Sequence, residues 1–108
     1  MADQPASLDI PRLRESAAAA GQLLKALANP DRLLLLCQLS QGERNVGELE
    51  RLLGIVQPTL SQQLAVLRRE GLVDTRREGK QVYYRISSPA ALAVINTLYQ
   101  QFCGEAVL

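Results

Sequence analysis

Cys37 and Cys103 are the two thiols of a chain of 108 residues that contains no histidine. Two thiols can be joined by oxidation, can carry added sulfur atoms, or can hold a soft ion such as arsenite. The absence of histidine excludes His-containing zinc sites and any Ser-His or Cys-His catalytic pair. No Cys-X-X-Cys motif supports thiol oxidoreductase activity, so the chain does not read as an enzyme, and nothing in it calls for a cofactor. A direct bond between the two sulfurs needs their Cα atoms within about 7 Å, a condition on the fold rather than on the sequence. Both thiols fall near the expected ends of helices, where the helix dipole opposes a thiolate.

The compartment decides what such a pair is for. The segment Met1-Ala2-Asp3-Gln4-Pro5-Ala6-Ser7 has no basic flank leading into an apolar stretch, and the longest strongly apolar run, Leu33 to Cys37, is far too short to cross a bilayer. The expected location is therefore cytoplasmic, with no membrane partner. In that reducing setting two cysteines are either small buried hydrophobes or a redox or metal device.

A second set of chemically able residues lies together in Gln57-Pro58-Thr59-Leu60-Ser61-Gln62-Gln63-Leu64. Leu60, Leu64 and Leu67 repeat at helical spacing and form an apolar stripe. Pro58 suits the first helical position, and Gly71 the place where a left-handed residue ends a helix. The other face carries Gln57, Thr59, Ser61, Gln62 and Gln63, amides and hydroxyls able to meet base edges and phosphates in a DNA groove. Net charge is only +1, but from Arg68 to Arg85 six cations (Arg68, Arg69, Arg76, Arg77, Lys80, Arg85) stand against three anions. Phosphate contacts are local, so Arg68, Arg76, Arg77 and Lys80 are the candidate backbone contacts. An evenly mixed solvated surface is the competing reading of the same charges.

These residues need elements to hold them. Ile10, Leu13, Ala17, Ala20, Leu24 and Leu27 form a heptad-like seam along a first helix. Asn29-Pro30-Asp31 stops that helix and caps a second, broadly apolar one that runs to about Ser40 and should be the most buried. Gln41 to Asn45 reads as a loop. Val46 to Leu53 is a short helix with Val46, Leu49, Leu52 and Leu53 inward, closed by Gly54 and followed by the Gln57 helix, the pattern of a helix-turn-helix. Val73 to Arg77 and Gln81 to Ile86 flank Glu78-Gly79-Lys80 as a hairpin, with Val82, Tyr84 and Ile86 inward. Its basic tip makes it a wing. Ser87-Ser88-Pro89 caps a last helix whose Leu92, Ile95, Tyr99 and Phe102 form a second seam. The two seams predict a homodimer through the terminal helices, against the alternative that each packs within one protomer.

Taken together, Leu27-Ala28-Asn29-Pro30-Asp31-Arg32-Leu33, the Gln57 to Val73 segment and Tyr83-Tyr84-Arg85-Ile86 resemble the ArsR/SmtB family of winged-helix repressors over nearly the whole chain. The resemblance implies a mainly α fold with a small β-hairpin, a winged helix-turn-helix built from four helices, two strands and a fifth helix. It implies one domain over residues 8–108 after a disordered lead-in, residues 1–7, and a dimer that binds an inverted-repeat double-stranded operator and releases it on a chemical signal. Where many members keep metal-binding cysteines at the third helix, this chain has Asn45-Val46-Gly47-Glu48-Leu49, and it lacks the histidines other members use on the last helix. Within the family the likeness is to the persulfide-responsive branch typified by BigR and SqrR, which implies Cys37 and Cys103 as the redox-sensing pair, reactive sulfur species as inducer and no resident metal. A soft-metal or arsenite sensor using the same two thiols is the alternative. The position after Gln62, often histidine in relatives, is Gln63, which leaves base preference open.

Overall fold

Asp9 opens helix α1 (Ile10–Leu27) by accepting a hydrogen bond from the Arg12 backbone N–H at 3.3 Å. The computed structural model describes residues 8–104, so the lead-in expected at residues 1–7 lies outside the described residues. Only Ala26 and Leu27 at the end of α1 are buried, and the helix is otherwise largely open to solvent. The radius of gyration is accordingly 16.4 Å, against about 13 Å for a compact domain of this size.

Asn29 ends that exposure. Its side chain accepts from the Arg32 N–H at 3.0 Å and caps helix α2 (Pro30–Leu39), with Pro30 in the first turn as expected. Leu35, Leu36 and Leu39 are buried, and α2 packs against every other helix, which makes it the centre of the core.

The expected loop over Gln41 to Asn45 is corrected in part: Arg44–Asn45 form a short strand, β1. Two residues are too few to show alternation, so the strand exists only because a partner is present. Asn45 also caps helix α3 (Val46–Leu53) in a reciprocal capping box with Glu48, both bonds 2.8 Å long. Leu49 is buried and Val46 and Leu53 are half-buried, but Leu52 is 53% exposed, contrary to expectation. At about 100° per residue, Leu52 lies on the opposite side of Leu49 from Val46 and Leu53. Gly54, at φ 70°, closes α3 as expected.

Helix α4 (Thr59–Arg69) begins one residue later than expected, with Pro58 in the capping position. Its C-terminus is a Schellman turn: Gly71 (φ 77°) donates to Arg68 C=O and Leu72 to Leu67 C=O, each at 3.0 Å. The chain then enters strand β2 (Val73–Glu78), turns on Gly79-Lys80, and returns as β3 (Gln81–Ile86). The turn has two residues rather than three, because Glu78 pairs with Gln81. The antiparallel sheet runs β1-β3-β2, with Arg44 opposite Tyr84 and Asn45 opposite Tyr83.

Ser88 caps helix α5 (Pro89–Cys103) through the Ala91 N–H at 3.1 Å. Ala91 and Ile95 enter the core, whereas Leu92 and Phe102 are exposed, Phe102 by 83%. The two expected seams are thus divided. Leu27 and Ile95 pack inside the protomer, while Ile10, Leu13, Leu24, Leu92 and Phe102 remain on its surface. Five helices and a three-stranded sheet with a protruding hairpin make a winged helix-turn-helix.

Candidate DNA-reading face and thiol groove

Leu60, Leu64 and Leu67 of α4 are at most 1% exposed, and each contributes about 1.5–3 kcal/mol by leaving water. This burial sets which way the helix faces. Ser61, Gln62, Arg68 and Arg69 point outward, while Thr59 and Gln63 sit half-buried at its flank. Gln57 turns back on the helix start: its Oε1 accepts from the Ser61 N–H at 3.1 Å and from the Ser61 hydroxyl at 2.8 Å. Gln57 and Ser61 are therefore partly engaged with each other, and Gln62 stands as an exposed amide between Ser61 and Gln63.

Two bonds fasten α4 to the elements beneath it. Arg32 Nη1 of α2 donates to Gln63 Oε1 at 2.8 Å, and Gln22 Nε2 of α1 donates to Glu70 Oε1 at 2.9 Å. Arg32 also donates to the carbonyls of Ala26 and Lys25. Sequence reasoning did not single out Arg32 for this role. Its neighbours Asn29, Pro30 and Asp31 explained themselves as a cap, and nothing local showed that a cation on α2 reaches α4.

The four expected backbone contacts, Arg68 on α4 and Arg76, Arg77 and Lys80 on the wing, are not equivalent. Arg76 lies between Glu43 at 2.9 Å and Glu78 at 2.7 Å, with its guanidinium carbon 4.6 Å from the centroid of the Tyr83 ring. The hydrogen bond from Arg76 lowers the Glu43 pKa, and bonding to Glu43 and then Glu78 raises that of Arg76. Arg76 is thus a charge already answered inside the wing. Arg85 lies 3.8 Å from Asp74 and Arg69 3.9 Å from Glu70. Arg68, Arg77 and Lys80 are exposed, and the ion pairs among the described residues engage none of them.

The thiols come together elsewhere. Cys37, half-buried near the end of α2, and Cys103, exposed at the end of α5, line one groove of about 260 Å³. Its other walls are Leu33, Ile95, Leu98, Tyr99 and Phe102, so the space between the sulfurs is apolar. Burial raises the Cys37 pKa, and the neighbouring Cys103 raises it further. Both thiols line this one groove, so a bridge between them, direct or through added sulfur, would lie within it. Any ligand of a soft ion beyond these two thiols has to come from outside this lining.

Comparison with known proteins agrees with this fold. Residues 29–75 match the model of the bacterial regulatory protein, arsR family. The chain is 53% identical over 97 residues to the Biofilm growth-associated repressor of Agrobacterium fabrum, covering 90% of this chain and 83% of that protein. The crystal structure of the transcriptional repressor BigR from Xylella fastidiosa superposes with a TM-score of 0.82 at 48% identity, over 89% of this chain and 98% of that one. Reduced HlyU from Vibrio cholerae N16961 gives 0.82 at 46% identity, over 85% and 97%. A recognition helix, a basic wing and this degree of likeness lead to one conclusion: the chain belongs to the ArsR family of winged-helix transcriptional regulators.

Proposed function

We propose that this protein is a cytoplasmic homodimeric repressor that holds an inverted-repeat DNA operator in its dithiol form and releases it when Cys37 and Cys103 are linked. The observation that carries the reading is the shared apolar groove, which sets the thiol of the central helix α2 against the thiol of the terminal helix α5. A covalent link there ties the core helix beneath α4 to the helix whose exposed Leu92 and Phe102 offer a surface to a second copy. In a dimer the two α4 helices must meet successive major grooves about 34 Å apart, so a small shift between protomers weakens both half-sites together. A hundredfold loss of affinity requires only about 2.7 kcal/mol between the two forms.

A sulfane-sulfur donor RSSH supplies the oxidising equivalents. Its outer sulfur passes to Cys37 and RSH leaves; the Cys103 thiolate then attacks the Cys37 sulfur and expels HS⁻, leaving a disulfide. A second donor can first convert Cys103 to its persulfide, releasing another RSH; the outer sulfur of Cys103 then attacks the Cys37 sulfur and expels HS⁻, leaving a trisulfide. DNA contact is assigned to Gln57, Thr59, Ser61, Gln62 and Gln63 in the groove, with Arg68, Arg77 and Lys80 on phosphates and Arg76 as a wing strut.

The test is mass spectrometry of the protein after exposure to a persulfide donor, alongside fluorescence anisotropy of bound DNA. Parent protein should show a Cys37–Cys103 link and lose DNA, while Cys103→Ser should keep DNA under the same exposure. Release of DNA without any link sinks the proposal. Release by arsenite but not by persulfide moves the same two thiols to the metalloid reading.

A further inference from the structure

Gln63 is held in one orientation by a residue outside the recognition helix. The half-buried Arg32 donates from Nε to the Ala26 carbonyl, from Nη2 to the Lys25 carbonyl at 3.4 Å, and from Nη1 to Gln63 Oε1 at 2.8 Å. One guanidinium thereby joins the last turn of α1, the first turn of α2 and the start of α4. The carbonyl end of α1 favours a cation there, so Arg32 is anchored independently of Gln63. A guanidinium has donors and no acceptor. The side of the Gln63 amide that faces it must be the oxygen, and in a planar amide the NH₂ group then points away. Among the described residues no buried side-chain nitrogen or oxygen lacks a hydrogen-bond partner, and no partner of Gln63 Nε2 occurs there, so that NH₂ is not sealed from solvent.

We propose that Arg32 is a positioning residue for DNA recognition: by holding the amide oxygen of Gln63 it commits Gln63 to act as a hydrogen-bond donor toward an acceptor atom of DNA. The inference rests on α4 being the recognition helix. The acceptors of that chemistry are a purine N7, guanine O6, thymine O4 or a phosphate oxygen. The bidentate adenine contact, which needs the amide to accept from N6 while donating to N7, is disfavoured, because one lone pair of the oxygen is already given to Arg32 and the amide plane is fixed by that bond. Gln63 thus turns its donor, the NH₂ group, toward DNA.

The experiment is a double-mutant cycle on DNA affinity, using a duplex selected by the parent protein from a random-sequence pool and an unrelated duplex of equal length. Gln63→Met and Arg32→Met should each weaken the selected duplex about tenfold, the scale of one lost hydrogen bond to DNA. The double variant should be no weaker than Arg32→Met alone, because the two substitutions remove one interaction. If Arg32 acted only by bracing α1, the two losses would multiply, and that result overturns the proposal. So does a Gln63→Met protein that binds as tightly as its parent. Where Arg32→Met does not fold, Arg32→Lys takes its place in the cycle, keeping a charge for the α1 carbonyls without a second arm for Gln63. A loss confined to the selected duplex puts the acceptor on a base edge, and an equal loss on both duplexes puts it on phosphate. If the parent enriches no sequence at all, the reading of α4 itself fails; enrichment with unaffected variants removes only the role of Arg32.

Discussion

Gln57 closes the first turn of the recognition helix on Ser61, its one amide oxygen accepting from both the backbone N–H and the hydroxyl four residues ahead. The pair does locally what a capping Ser or Asp does elsewhere, and Pro58 leaves that work to its neighbour because it has no side-chain acceptor. Ser61→Ala should therefore cost DNA affinity only a few-fold, since the backbone bond survives. Gln62→Ala, removing an exposed amide, should cost about tenfold to a hundredfold. Combining Ser61→Ala with Gln62→Ala should abolish specific binding with the dimer intact, as anisotropy and sedimentation would show. Specific binding retained by the double variant contradicts the assigned face of α4.

Arg76 gives a second prediction, because its charge is held by Glu43 and Glu78. Arg77→Ala with Lys80→Ala should weaken binding to all DNA sequences, and Arg76→Ala should weaken it less. Glu43→Gln should free Arg76 for phosphate and steepen the plot of log affinity against log salt by roughly one unit per wing engaged. An unchanged slope shows that Arg76 stays folded against Tyr83 and Glu78.

The groove predicts a pH dependence for Cys37. Burial and the adjacent Cys103 both favour the neutral thiol, so the reactive thiolate of Cys37 accumulates only at higher pH than for a free cysteine. Alkylation of Cys37 by iodoacetamide should rise through a midpoint displaced upward. In Cys103→Ser the midpoint should fall part of the way back, because burial, the larger cause, remains. Peroxide should be a slow oxidant of this thiol near neutral pH. A sulfenic acid forming on Cys37 as fast as persulfide modifies it would falsify that account.

Assembly and protomer stability should separate along α1 and α5. Leu13→Glu or Phe102→Ser, at surface positions, should lower the association constant of the dimer while far-UV circular dichroism stays native. Ile95→Ala, at a fully buried position, should instead destabilise the protomer by about 2–4 kcal/mol in denaturant unfolding. A dimer untouched by both surface substitutions shows that the seams do not form its interface.

Much of this arrangement was legible in local pattern. Caps at Asn29 and Ser88, the glycine stops at Gly54 and Gly71, and the burial of Leu60, Leu64 and Leu67 follow from residue type and spacing, and the structure keeps them all. What escaped depends on contacts between distant segments. Strand β1 exists because Tyr83 and Tyr84 offer it a partner, Arg32 matters because α4 passes over it, and Arg76 is neutralised by a glutamate from before α3. The likeness between Cys37 and Cys103 was visible as composition. That they share a groove is a property of how α2 and α5 cross.

Strand β1 has a mechanical consequence. By pairing Arg44 and Asn45 with the returning strand of the hairpin, while Asn45 also begins α3, it rivets the wing to the helix-turn-helix. The hairpin and the helix-turn-helix are thereby braced as one unit. Under the proposed function, a displacement passed up from α2 would reach the α4 face and the wing together, with no separate latch for each.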